Sequence, residues 1–307
     1  MDGKSEIELR GLVGSNPIGA MAAFGLLRIC SKIQEIDAPK LLWRMEDDWF
    51  AVLKTANDLD DGKLSSFIFK YINNSKRNIN DIFAESETGD IRLKPEKMHD
   101  MLDKLVGKST YLDREMIDYW SAFSTENAVD QAKGKGFSKP TALYMTSGNQ
   151  SFAKKVRDLY DNVDEDKINE ALYGVWTYGD KHEYSMGWDP TTTRTHAFRK
   201  MAPTSDTTPL CVIGAELLAF QSIPLYPVFA SKGRSRTTGF VDDYFTWPIW
   251  EIPITIDILK TLIQSGEDPE TKLKRGVSAT YSSHRKSVAK GYGIFEPAVP
   301  VHMKTSP

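Results

Sequence analysis

The stretch from Ile18 to about Gln34 is apolar on nearly every side of a helical wheel until it reaches Arg28. A helix with one wet face can lie on a surface, but one that is apolar all round has to be enclosed. The apolar run Pro17 to Leu27 is far shorter than the roughly 20 residues that cross a bilayer, so protein must do the enclosing. Ser15-Asn16-Pro17 supplies a cap residue followed by proline at the first helical position. The pattern predicts that Ile18, Ala22, Gly25 and Ile29 are buried. A chain of 307 residues is long enough to wrap such a helix, either as one large domain or as two smaller ones.

The flanking segments read as the first of those layers. Glu6 to Arg10 alternates polar and apolar residues, as a half-buried strand does. Leu41 to Met45 and Trp49 to Leu53 are short aromatic and aliphatic runs around Glu46-Asp47-Asp48, which reads as a hairpin with an acidic turn. The next hundred residues look helical, with three- and four-residue apolar spacing over Leu64–Tyr71, Glu96–Val106 and Arg114–Phe123. The polar, Asn-rich segment Asn73 to Asn80 reads as a loop, and Gln131 to Pro140 as an exposed connector. Phe152, Val156, Leu159 and Val163 predict a further helix, and the Thr-rich stretch Pro190 to Pro209 a long ordered loop.

From Val212 onward short apolar runs alternate with Pro, Gly and Ser. Leu225–Phe229, Thr237–Val241 and Phe245–Ile252 read as strands, and the prolines in the first and third demote them to edges. Ile254 to Gln264 reads as a helix with Ile258, Leu259, Leu262 and Ile263 on one face. The expected class is α+β: an N-terminal strand–helix–hairpin scaffold, a helical middle and a mixed C-terminal part with short strands. The division falls at residues 1–130 and 141–307, unless the two form one continuous domain.

Charge is nearly balanced, 39 basic against 42 acidic side chains for a net −3, so the chain is not basic as a whole. It is polarised, however. Residues 1–180 hold 24 basic and 30 acidic side chains, and residues 181–307 hold 15 and 12. Cys30 and Cys211 lie 181 residues apart in apolar runs and form neither a disulfide framework nor a metal motif. They read as buried thiols of a reducing compartment. With no basic-then-apolar leader at the N-terminus, the expectation is a cytoplasmic protein with no membrane partner.

Several catalytic signals fail on spacing. Gly107-Lys108-Ser109-Thr110 resembles the end of a phosphate-binding loop, but position 102 is leucine where the motif needs glycine. Gly11, Gly14, Gly19 and Gly25 do not have dinucleotide-binding spacing. His182-Glu183 begins like a zinc-protease helix, but Met186 stands where the second histidine belongs. The segment His182 to Lys200 nevertheless concentrates His182, Glu183, Asp189, Arg194, His196 and Arg199. Acid–base chemistry by His182, Asp189 and His196 on a phosphodiester held by Arg194 and Arg199 is one reading. Nucleic-acid contact through Arg194 and Arg199 without catalysis is a second, and a polar loop held by its own ion pairs is the third. No pattern calls for a cofactor or a metal.

Two basic clusters suit phosphate contact. Between Thr271 and Phe295 lie six basic residues, Lys272, Lys274, Arg275, Arg285, Lys286 and Lys290, together with His284 and no acid. Lys232, Arg234 and Arg236 form a second cluster in a Gly/Ser-containing turn. Basic side chains on flexible turns beside Tyr281 and Tyr292 would combine phosphate contact with base stacking; a charged face that merely meets solvent is the alternative. A third possibility is a structural module that docks a protein partner through Trp247, Trp250 and Tyr244.

Four passages in order, NPIGAMAAFGLLRI with LLWRMEDDWFAVL, TALYMTSGNQSF, YSMGWDPTTTR, and GAELLAFQSIPLYPVF with FTWPIWEIP, resemble a known group. They are similar to accessory and effector-subunit proteins of type I CRISPR loci. The likeness is above all to type I-G, formerly I-U, which includes proteins named as extensions of the Cas helicase-nuclease. It spans about residues 5 to 255. It implies a non-catalytic, nucleic-acid-associated subunit of an RNA-guided antiviral ribonucleoprotein complex, with RNA or DNA and other CRISPR-associated subunits as partners. It carries over no catalytic residue, and the basic C-terminal stretch lies outside it.

Overall fold

In the computed structural model the described residues are 5–84, 90–107, 110–130, 136–146, 150–180, 184–191, 211–288 and 292–303. The enclosed helix is there, but it ends at Cys30 with Ser31 as its C-cap and does not run on to Gln34. α1 spans Pro17–Cys30, every one of its residues is buried, and the Asn16 side chain caps it by accepting from the Ile18 amide at 3.1 Å. Ile18, Ala22, Gly25 and Ile29 are all inside, as the apolar circumference predicts.

Three layers do the enclosing. The first is an antiparallel sheet in the order β1-β3-β2, with β1 at Ser5–Val13, β2 at Lys40–Met45 and β3 at Trp49–Thr55. The β2–β3 connection is the acidic turn, closed by the Glu46 amide on the Asp48 carbonyl at 3.2 Å. The second layer is helical: α2 (Asp61–Ala84), α3 (Pro95–Val106), α4 (Tyr111–Phe123), α5 (Phe152–Asn162), α6 (Glu165–Tyr173) and α7 (Ile213–Gln221). α7 is also buried along its whole length and crosses α1 at Gly25. Two helices without a wet face thus cover each other.

The third layer is a five-stranded sheet, ordered β11-β10-β9-β8 with β12 also paired to β10. Its strands are β8 (Phe240–Val241), β9 (Tyr244–Trp250), β10 (Val277–Val288), β11 (Tyr292–Phe295) and β12 (Val299–Met303). Trp247 and Trp250 fasten it to the first layer, their indole N–H groups donating to the Gly14 and Leu41 carbonyls at 2.8 Å each. β4 (Ser124–Asp130) pairs β5 (Phe137–Pro140), and β6 (Val228–Ser231) pairs β7 (Arg234–Thr237). α8 (Ile256–Gln264) and α9 (Pro269–Lys274) follow β9. The class is α+β. Buried residues from Ile7 to Phe295 join one apolar cluster that includes side chains from both 1–130 and 141–307.

Several expectations about elements need correction. Asn73 to Asn80 is not a loop but the interior of α2. Ile72, Ile79, Ile82 and Phe83 keep one buried stripe running through it, and the asparagines fall on the outer face. The expected connector Gln131 to Pro140 ends in β5, because Phe137 to Pro140 finds a partner strand in β4. The stretch Leu225–Phe229 is divided between a 3-10 turn, Ile223–Leu225, and the start of β6. Pro248 lies in β9, whose neighbour β8 pairs only Tyr244 and Phe245. At the proline β9 therefore pairs β10 through Thr280 on one side and needs no donor on the other. The loop expected over Pro190 to Pro209 lies, after residue 191, outside the described residues.

Candidate nucleic-acid interface

The C-terminal basic stretch is built into regular structure rather than flexible turns. Lys272 and Lys274 belong to α9, and Arg285 and Lys286 to β10. The stretch contains no acid of its own, yet the fold brings acids to it from either end. Lys274 meets Glu270 at 2.9 Å, Arg275 meets Glu267 at 2.7 Å, and Lys286 and His284 share Glu296 at 2.9 and 3.0 Å. Hydrogen bonds from Lys286 and then His284 hold the Glu296 carboxyl below its ordinary range. Arg285 is half-buried and donates to the Tyr144 carbonyl at 3.1 Å. Burial draws the Lys272 ammonium below its usual value. Tyr281 is buried and stacked on Trp247, with ring centroids 6.1 Å apart, so it offers no face to a base. Lys290 lies outside the described residues, as do Arg194, Arg199, His182, Glu183 and His196.

The smaller cluster has the opposite character. β6 and β7 form a hairpin whose base is buried at Val228 and Thr237, where Thr237 Oγ1 accepts from the Ala142 amide at 2.8 Å. Phe229 through Arg234 are exposed. The turn is Lys232-Gly233 with φ of 51° and 72°, the positive pair that matches a two-residue hairpin to strand twist. Arg236 meets Asp242 at 3.2 Å. Lys232 and Arg234 meet no carboxylate among the described residues. Counted along the chain, the larger cluster is the stronger candidate because it has more cations. Which cations remain unmatched depends on Glu267, Glu270 and Glu296, which flank it in space.

Asp189 does not sit in an open acid–base site. It is 2% exposed, accepts from the Thr191 amide at 2.9 Å and from Asn16 Nδ2 at 3.4 Å, and so braces the loop against the start of α1. Burial raises its pKa above the usual carboxylate range. In the same interior, sequence reasoning missed Glu216. It sits in α7, is wholly buried, and neither carboxyl oxygen has a well-formed hydrogen bond among the described residues. Burial, reinforced by the charge of Asp189, pushes it up to about 8 against the weaker opposing pull of the Met186 amide and the Ser185 hydroxyl. Lys155 is buried here too and donates to the Ser185 carbonyl.

Both thiols are buried and pushed up by desolvation, which makes them poor nucleophiles. Trp247 and Trp250 are likewise inside, with 0% and 1% exposure, so of the three proposed docking aromatics only Tyr244 reaches solvent. Among the described residues no group of three His, Cys, Asp or Glu side chains is placed to hold a metal ion. No helix among them is long and apolar enough to cross a membrane. Comparison with protein-family models, curated proteins and solved structures gave no match.

Proposed function

We propose that the chain is a nucleic-acid-associated, non-catalytic subunit of a CRISPR-type RNA-guided antiviral complex, and that it touches the nucleic-acid backbone through the β6–β7 hairpin. The observation that carries the binding is the exposed tip, where Lys232 and Arg234 project without a carboxylate partner among the described residues. Unneutralised cations on a projecting hairpin attract phosphate and release its counterions on contact. The paired cations of α9 and β10 have less to offer, because a phosphate would have to displace Glu267, Glu270 or Glu296. Membership of a CRISPR complex is supported by the four ordered sequence passages.

A mobility-shift panel of single- and double-stranded RNA and DNA at low and high salt tests the binding. The wild-type chain should shift nucleic acid at low salt. Lys232→Ala with Arg234→Ala should flatten the slope of log affinity against log salt by roughly 0.7–0.9 for each phosphate no longer engaged. No shift with any nucleic acid, or an unchanged slope, overturns the proposal. Co-expression with the other subunits of a type I-G complex tests the assembly, which requires co-elution with the guide RNA.

A further inference from the structure

We infer that the exposed face of the β6–β7 hairpin binds single-stranded nucleic acid, with one unpaired base stacked on Phe229; this rests on the nucleic-acid function proposed above. The pairing register supplies the geometry. Phe229 lies directly opposite Arg236, and Ser231 opposite Arg234. Directly opposed residues of an antiparallel pair point to the same face, as do residues two apart along a strand. Phe229, Arg234 and Arg236 therefore share one face, while the other carries Val228 and Thr237 into the body of the protein. Phe229 is 51% exposed at this site, a large apolar ring left in water between cations.

An aromatic ring flanked by guanidinium groups suits an unpaired base better than a duplex. A duplex already stacks its bases on each other and shows only their edges and its phosphates. A single strand offers a free π-face to the ring and the adjoining phosphates to the cations. The tip is also preorganised. The Lys232-Gly233 turn fixes the twist of the two strands, and the buried base holds the hairpin to the body, so little ordering is left to be done on binding.

Acids bound the site on its sheet side. Asp242 engages Arg236 at 3.2 Å, and Asp242 and Asp243 are both exposed in the β8–β9 turn. Their charge repels a phosphate backbone heading toward Tyr244, although Tyr244 is 48% exposed and lies against His284 with centroids 4.9 Å apart. The strand is thereby confined to the tip, with phosphates on Lys232 and Arg234 and the base on Phe229. Arg236, opposite Phe229 in the register, is already matched by Asp242.

The test is equilibrium binding of the full chain to a short labelled single-stranded oligonucleotide and to its duplex, with thermal melts confirming the fold. Phe229→Ala should weaken single-strand binding about fivefold or more without altering the salt slope, because stacking releases no counterions. Phe229→Trp should restore it, and Tyr244→Ala should leave it unchanged. If Phe229→Ala binds like wild type while the Lys232→Ala, Arg234→Ala variant is weakened, stacking is wrong and backbone contact stands. If both variants bind like wild type, the nucleic-acid function of the hairpin falls with it. Equal weakening for strand and duplex overturns the single-strand inference. Absence of wild-type binding to either overturns both proposals.

Discussion

Gly25 of α1 lies against the backbone of Leu218 in α7 so closely that a Cβ at Gly25 would collide with the Leu218 carbonyl oxygen and stand 2.9 Å from its carbonyl carbon. Neither helix has a wet face toward which it could retreat. Gly25→Ala should therefore destabilise the protein despite the better helix propensity of alanine, by roughly 1–3 kcal/mol as an overpacked contact does. Gly25→Leu should cost more. Thermal melts of the two variants check this, and unchanged midpoints would show that the crossing is looser than the structure has it.

Glu216 predicts a pH dependence. Its ordinary value is 4.5 and its folded value is about 8, so the folded chain keeps a proton that the unfolded chain releases across that window. The contribution of this site to stability should therefore fall as pH rises from 4.5 to 8 and level off above it. Glu216→Gln removes this contribution, so its melting temperature should decline less between those limits than that of wild type. Parallel pH profiles with equal slopes would place the carboxyl in a wetter or better-paired site.

Arg28, Lys32 and Glu115 form a charged network inside the helical layer, with Arg28 on Glu115 at 2.6 Å. Burial alone would raise the Glu115 pKa, but the Arg28 and then the Lys32 charge outweigh it and hold the carboxyl below its usual 4.5. Burial and the neighbouring Arg28 draw the Lys32 ammonium down to about 8. Glu115→Gln leaves two cations without their anion and should destabilise by about 3–5 kcal/mol in urea unfolding. The stability that Glu115 contributes is present above pH 4.5 and lost as pH falls through its lower folded value, so the variant and wild type should converge in acid.

Arg285 should behave unlike its basic neighbours. It reaches the Tyr144 carbonyl at 3.1 Å from a half-buried position, and Arg285→Ala leaves that carbonyl without this donor. The expected destabilisation is about 1–3 kcal/mol. Lys274→Ala and Lys286→Ala remove exposed ion pairs and should each change stability by no more than about 1 kcal/mol. Urea midpoints for the three variants separate the structural cation from the surface ones.

Local spacing was enough to specify the buried helix, its proline start and its asparagine cap, because an apolar circumference has a single physical outcome in water: enclosure. It was also enough for the β2–β3 hairpin and the α+β class, since residue periods of two and of about 3.6 are properties of neighbouring residues in the chain. The α2 interior escapes such a reading because Asn73 to Asn80 is polar locally, and the stripe from Ile72 to Phe83 alone shows that one face stays buried. The candidate site was legible as two basic clusters but not as a choice between them. That choice rested on Glu267, Glu270 and Glu296, which lie outside the acid-free stretch and are brought to it by α9 and by β11 turning back along β10. Glu216 left no signal, because a carboxylate in an apolar run such as GAELLAF has the same letters whether it faces water or the core. Charge neutralisation and desolvation depend on what stands within a few ångströms in space. For Glu216 those neighbours, Ser185, Met186 and Asp189, come from a distant part of the chain. For the basic stretch they stand just beyond its ends and reach it only through the turn of α9 and the β10–β11 hairpin, so the fold settled them and the acid-free run by itself did not.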